Sequence, residues 1–222
     1  MDFASIARQI LISALPVLVA ITFHEVSHGL VAYKLGDPTA KMLGRLTLNP
    51  IAHIDIFGTV LLPLMLIVLT NGQFVFGYAK PVPINPMNFK NPRKDMAISA
   101  SAGPVTNLIL AVFSVLILKG ILAPLALILP AVAGETFLKP LFMIFTSSVV
   151  INVVLAAFNM IPVPPLDGGR VLVGMLPYKH AVSFSKIEPY GFIIVLIMIY
   201  TGIANYIIMP VITLLLNLLQ VY

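Results

Sequence analysis

The sequence predicts an all-α membrane protein, a polytopic bundle of five to six transmembrane helices. Two observations carry that prediction. Of 222 residues, 59% are hydrophobic and only 9% are charged, against about 45–50% apolar and about 25% charged in soluble domains. The charges are also bunched, leaving charge-free runs at Gln9–Phe23, Ile56–Ala79, Met96–Leu118, Gly120–Gly134, Pro140–Leu166 and Pro189–Tyr222. A water-soluble globule cannot be built from this composition, and disorder needs low hydrophobicity. The formal charge of +5 reads as Lys/Arg flanking apolar runs at anionic lipid, with no stretch basic enough for nucleic acid. Without cysteine there is no disulfide or thiolate site, so any metal must sit on His, Asp or Glu.

A crossing needs about 20 mostly apolar residues. The first run continues helically from Phe3 through Phe23 and on through the polar group at His24–His28, with a kink expected at Pro16. Phe57–Leu69 is short for a crossing and contains Pro63, so it is either a tilted span or a re-entrant element. Met96–Leu118 and Pro140–Ile161 fit one span each. Gly120–Gly134, interrupted by Pro124 and Pro130, reads as a loop or interfacial piece. Pro189–Tyr222 is too long for one crossing and reads as two helices with a turn near Gly202–Asn205. The whole of 1–222 is expected to be one integral-membrane domain, with a catalytic core over about 3–176 and C-terminal helices over about 183–221. A cleaved signal peptide is not expected, because no small-residue cleavage site separates the first run from His24. The Lys/Arg clusters on either side of Phe57–Leu69 leave the membrane orientation open.

Ionisable side chains inside apolar spans are costly and by default mark function. His24-Glu25-Val26-Ser27-His28 holds two of the chain's four His and one of its three Glu. On a helix His24 and His28 lie one turn apart on one face, so both imidazoles can reach one metal ion. Glu25 projects about 100° away, close enough to meet a water there without being a ligand. This is the H-E-x-x-H arrangement of zinc metalloproteases. The plainer reading is two interhelical His hydrogen bonds and a buried Glu, which an apolar span makes expensive.

A catalytic zinc normally takes a third protein ligand. The candidates are His53, Asp55, Asp95, Asp167 and His180. Asp167 has the best context. Pro162, Pro164 and Pro165 forbid a regular helix before it, and Gly168-Gly169 lets the backbone turn tightly. Such backbone is tolerated at membrane depth only against protein or a watery cavity. An ordinary interfacial turn with a solvated Asp is the bland alternative. In Asn49-Pro50 through Asp55, a turn with Asp55 near a helix N-terminus is as good a reading as a functional one. Asn107 and Asn152 are expected to hydrogen-bond between helices, and Ser101-Ala102-Gly103-Pro104 to permit close helix contact. Asn159 ends its span near the proposed site and could hold a substrate carbonyl or the unwound backbone. His180, beside Lys179, reads as a surface residue.

On these residues the chain resembles the site-2 protease family of intramembrane zinc metalloproteases. The resemblance rests on His24-Glu25-Val26-Ser27-His28-Gly29, on Asn49-Pro50 with His53-Ile54-Asp55 and Gly58-Thr59, on Gly103-Pro104 with Asn107, and on Asn159 through Asp167-Gly168-Gly169. It looks like a short member, without an appended PDZ or CBS-type domain. The resemblance implies one Zn2+ per chain held by His24, His28 and Asp167, with Glu25 as general base. Asn159 would be both catalytic and substrate-binding.

The implied activity is regulated intramembrane proteolysis in the cell membrane, the partner being a membrane protein with a transmembrane segment. Phe74-Val75-Phe76 and the prolines through Pro92 suggest an extended or hairpin edge around 74–92 that could pair with an unwound substrate by strand addition. A Pro-rich interfacial loop is the simpler reading. Two other functions compete: a divalent-metal transporter using the same His/Glu/Asp cluster, and an inactive scaffold. The first would need further intramembrane acids, and the second would have lost Glu25 or a ligand.

Overall fold

A computed structural model of the chain describes residues 3–69 and 77–220. Helix α1 (Phe3–Lys34) runs unbroken past Pro16. Gly36, at φ +112°, turns the chain away from its end. Two short turns follow, at Thr39–Met42 and Pro50–His53, the second capped by the Asn49 side chain accepting from the Ile51 N–H at 3.1 Å. Helix α2 (Ile56–Leu69) opens with a π-helical turn whose N-cap is Asp55. Its 14 described residues rise about 21 Å, less than the roughly 30 Å hydrocarbon thickness, so the described part of α2 is shorter than a full crossing.

Residues 77–85 run without regular structure, and there is no strand among the described residues. Pro81 and Pro83 have no N–H to give a ladder. The Phe74–Phe76 half of the expected hairpin lies outside the described residues.

Helix α3 (Pro92–Ile128) is where structure and sequence expectation part. The chain stays helical through Pro124 to Ile128 instead of forming a loop after Gly120. A π-helical turn at Leu118–Leu122 absorbs the proline, whose missing N–H would otherwise break the pattern. In lipid every backbone group must find an internal partner, which favours this solution over a loop. The helix stops only before Pro130. Helix α4 (Gly134–Asn159) follows, then the short α5 (Asp167–Met175), α6 (Tyr178–Tyr200) and α7 (Ile203–Leu218). Gly202, at φ +78°, makes the expected turn between the last two.

Among the described residues four helices are long and apolar enough to cross a membrane: Leu11–Lys34 of α1, α3, α4 and α6; α2 and α7 are shorter apolar helices. Large apolar side chains such as Leu15, Ile109, Leu116 and Ile197 face outward, as a bilayer rather than water requires. The chain is a polytopic helical membrane protein.

Helix α3 is the centre, packing on α1, α4 and α5. Its buried stripe of Ser99, Gly103, Asn107, Ala111 and Ser114 is small or polar. Without a hydrophobic force between helices in lipid, close approach and interhelical hydrogen bonds drive association. The apolar core lies beyond this stripe, where Val149, Val153 and Ala157 of α4 meet Ile208, Ile212 and Leu216 of α7.

Candidate metal centre

The i, i+4 spacing on α1 brings His24 and His28 together, their Nε2 atoms 3.0 Å apart and their rings crossing edge to face. Asp167 completes the group from the first turn of α5. Its Oδ2 lies 3.2 Å from His24 Nε2 and 3.3 Å from His28 Nε2. All three residues are buried. They are the group of three His or acidic residues that could hold a metal ion among the described residues.

Local sequence explains how Asp167 arrives there. After α4 ends at Asn159, Pro162, Pro164 and Pro165 keep the chain irregular until α5 begins at Asp167. Gly168 and Gly169 lie inside α5, not in a turn. A Cβ on Gly168 would collide with the Met160 carbonyl, and one on Gly169 with the Val163–Pro164 backbone. The glycines are needed so that the segment after α4 can press against α5.

The ring faces not turned toward Asp167 are held by α3. His28 Nδ1 lies 2.8 Å from the Ser99 carbonyl, and Ser99 Oγ donates to the His28 carbonyl at 2.9 Å. His24 Nδ1 lies 2.6 Å from Asn107 Oδ1. Between them sits Gly103, where a Cβ would come 2.5 Å from His24 Cε1 and His28 Nε2. A carbonyl oxygen only accepts, so each Nδ1 carries the proton and each Nε2 presents a lone pair. Three acceptor atoms thus converge at 3.0–3.3 Å. Asp167 Oδ2 is buried with no hydrogen-bond donor. The arrangement demands a cation or added protons.

Glu25 is half-buried on the adjoining face of α1, and its Oε2 accepts the Val82 N–H at 2.8 Å. A cavity of about 340 Å³ touches the three clustered residues and also Glu25, Asn159 and Arg170. A neighbouring cavity of about 500 Å³ shares Glu25, Tyr78 and Asn159 and continues along apolar Val17, Leu155 and Phe158. Asn159 Nδ2 donates to the Leu155 carbonyl at 3.0 Å, which uses one of its two N–H groups.

The other sequence candidates lie elsewhere, three of them with structural work. His53 is buried, its Nε2 2.9 Å from the Thr47 carbonyl. Asp55 caps α2 by accepting the Gly58 N–H at 2.7 Å. Asp95 accepts the Asn91 N–H at 2.9 Å, and His180 is exposed on α6. Asn107 and Asn152 do bond between helices, Asn107 Nδ2 donating to Asn152 Oδ1 at 2.8 Å. The sequence did not reveal Ser99, the Asn107–His24 contact or the Val82 amide.

The chain is similar to known proteins. The family model described as "Peptidase family M50" matches residues 121–202, which include Asn159 and Asp167. "Putative zinc metalloprotease YwhC" of Bacillus subtilis (strain 168) is 39% identical over 196 residues, covering 87% of this chain and 82% of that protein. The chain belongs to peptidase family M50, the site-2 protease family. "Putative zinc metalloprotease Rip2" of Mycolicibacterium smegmatis is 26% identical over 192 residues, covering 85% of this chain and 66% of that protein. No solved structure matches. As an M50 member with this architecture, the chain is a membrane metallopeptidase.

Proposed function

We propose that this M50 member is a zinc-dependent intramembrane endopeptidase of the cell membrane, hydrolysing peptide bonds in or near transmembrane segments of other membrane proteins. The observation that carries the reading is the convergence of His24 Nε2, His28 Nε2 and Asp167 Oδ2, three buried acceptors without a donor among them. Zinc bonds of about 2.0–2.1 Å in tetrahedral geometry set ligand atoms about 3.3 Å apart. The observed 3.0–3.3 Å separations fit, and two imidazoles plus a carboxylate suit zinc as donors.

When bound, zinc supplies a Lewis acid for the scissile carbonyl and lowers the pKa of water toward about 7. Glu25, beside the cluster on the cavity wall, takes the proton of the attacking water and delivers it to the leaving amine. Asn159 faces the same cavity and donates an amide N–H to the substrate carbonyl as its negative charge develops. A substrate helix hides its amides in its own hydrogen bonds, so it must unwind first. Ala79, Pro81 and Val82 of the extended segment line the cavity and would flank the unwound chain. Pro81, Pro83 and the committed Tyr78, Lys80 and Val82 N–H groups leave little for strand addition. Transport of a divalent metal fits less well. Asp37, Asp55 and Asp95 are each committed to backbone amides, so these acids form no file leading away from the cluster.

Cleavage of a membrane-embedded test substrate by purified protein tests the reading. Glu25→Gln is expected to lower kcat by about 10²–10⁴-fold; a rate equal to wild type would falsify the general-base role. Stoichiometric zinc retained by His24→Ala would remove the site itself.

A further inference from the structure

Resting on the zinc site just proposed, we infer that Asn152 of α4, whose hydrogen bonds go to Asn107 and Ser148 and not to the three clustered residues, is a positioning residue that fixes the tautomer of His24 through Asn107. The two imidazoles are held by different means. His28 Nδ1 meets a backbone carbonyl, that of Ser99, and a backbone carbonyl accepts whatever the side chains do. His24 Nδ1 meets a side-chain amide, Asn107 Oδ1. Rotated by half a turn, that amide would present N–H to the ring instead. The proton on His24 would then move to Nε2, removing the lone pair that faces Asp167.

Two contacts prevent that rotation. Asn107 Nδ2 donates to the Ala20 carbonyl at 3.3 Å and to Asn152 Oδ1 at 2.8 Å. Asn152 is itself oriented, since its Nδ2 donates to the Ser148 carbonyl at 2.8 Å. The relay therefore ends on a backbone acceptor, and donors run in one direction from His24 through both amides to Ser148. Asn107 and Asn152 are 0% and 1% exposed, so water does not compete for these bonds. The Asn107–Asn152 bond is the shorter of the two that orient Asn107. Removing it leaves the Ala20 contact at 3.3 Å as the remaining restraint on the amide.

The test measures zinc affinity by competition with a chelator, using purified full-length protein. Partners of a ligating His typically alter metal affinity by about 10–100-fold. Asn152→Leu is expected to weaken zinc binding by about tenfold or more. The same substitution in an Asn107→Asp background is expected to weaken it by less than about threefold, because a carboxylate offers His24 an acceptor whichever way it turns. A loss of helix packing alone would act in both backgrounds. Equal weakening in the two backgrounds, or none in either, overturns the inference. If Asn152→Leu does not fold, Asn152→Ser runs the same comparison. Wild-type protein that binds no stoichiometric zinc, or His24→Ala that still binds it, overturns the underlying site assignment and this inference with it. Wild-type binding lost in His24→Ala but insensitive to Asn152 overturns the inference alone.

Discussion

The backbone N–H of Val82 donates to Glu25 Oε2 at 2.8 Å, joining residues 57 apart in sequence. The bond ties the extended segment to the carboxylate proposed to move the proton, and turns that carboxylate relative to the cavity. Hydrogen bonds to charged groups contribute about 1.5–3 kcal/mol. Val82→Pro deletes the donor, and Val82→Ala keeps it. Relative to Val82→Ala, Val82→Pro is expected to lower kcat/KM by about 10–100-fold with zinc content unchanged. Steady-state cleavage and metal analysis on the same preparations check this. Equal rates for the two variants would mean that Glu25 is oriented by something else.

Gly103 lies where α3 crosses beneath both imidazoles. Its missing side chain is a packing requirement: an added Cβ comes 2.5 Å from His24 Cε1 and His28 Nε2. Both rings are pinned through Nδ1, so they cannot swing away without losing those bonds. Overpacking costs about 1–3 kcal/mol, and here the strain falls on the proposed metal-binding geometry. Gly103→Ala is expected to weaken zinc at least about tenfold. Gly120→Ala on the same helix meets nothing within 4 Å and should leave zinc affinity unchanged. Chelator competition on both variants decides the matter.

Some of this was readable in the sequence for simple geometric reasons. Any helix puts His24 and His28 on one face, and an apolar span makes a Glu between them conspicuous. Asp167 could be preferred among five candidates because prolines and glycines surround it, but its approach depends on how α5 packs against the end of α4. The same punctuation misled at Pro124, where a π-helical turn carries the helix through a residue that ordinarily ends one. It also gave the wrong reason for Gly168-Gly169, which serve close packing inside a helix. The pairing of Asn107 with Asn152 was anticipated, whereas the contact with His24 depends on the rotation of α3 about its own axis. The Val82 donor is a main-chain group, and a motif built from side chains cannot contain it.

Two aspartates separate the proposed metal-binding role from a structural one. Asp167 supplies the one carboxylate oxygen in the cluster, while Asp55 caps α2 through the Gly58 N–H. Asn caps about as well as Asp, so Asp55→Asn should cost little stability and no zinc. Asp167→Asn keeps the shape and loses the charge, and is expected to lose most bound metal after dialysis. Metal-to-protein ratios compare the two directly. Zinc lost from Asp55→Asn and retained in Asp167→Asn would put the third ligand in the wrong segment.

Asp37, just beyond α1, is fully buried and holds the other end of the extended segment. Its carboxylate accepts the Asn85 N–H at 2.7 Å, Asn88 Nδ2 at 2.7 Å, and both the N–H and hydroxyl of Thr39. Burial pushes the carboxyl up, but these bonds outweigh it and hold the group below its ordinary value of 3.8. The sign follows from linkage: the unfolded chain binds the proton more readily, so acid favours unfolding. The stabilisation from Asp37 is complete above about pH 4 and is lost as pH falls through the lower folded value. Asp37→Asn retains one acceptor oxygen and cannot ionise. At pH 6 it is expected to be less stable than wild type by about 1–3 kcal/mol, and the gap should narrow as the pH drops below 4. Thermal unfolding of both proteins in detergent from pH 6 to pH 3 measures that gap. A difference that stays constant across the range would mean that the Asp37 charge contributes nothing to anchoring residues 77–88.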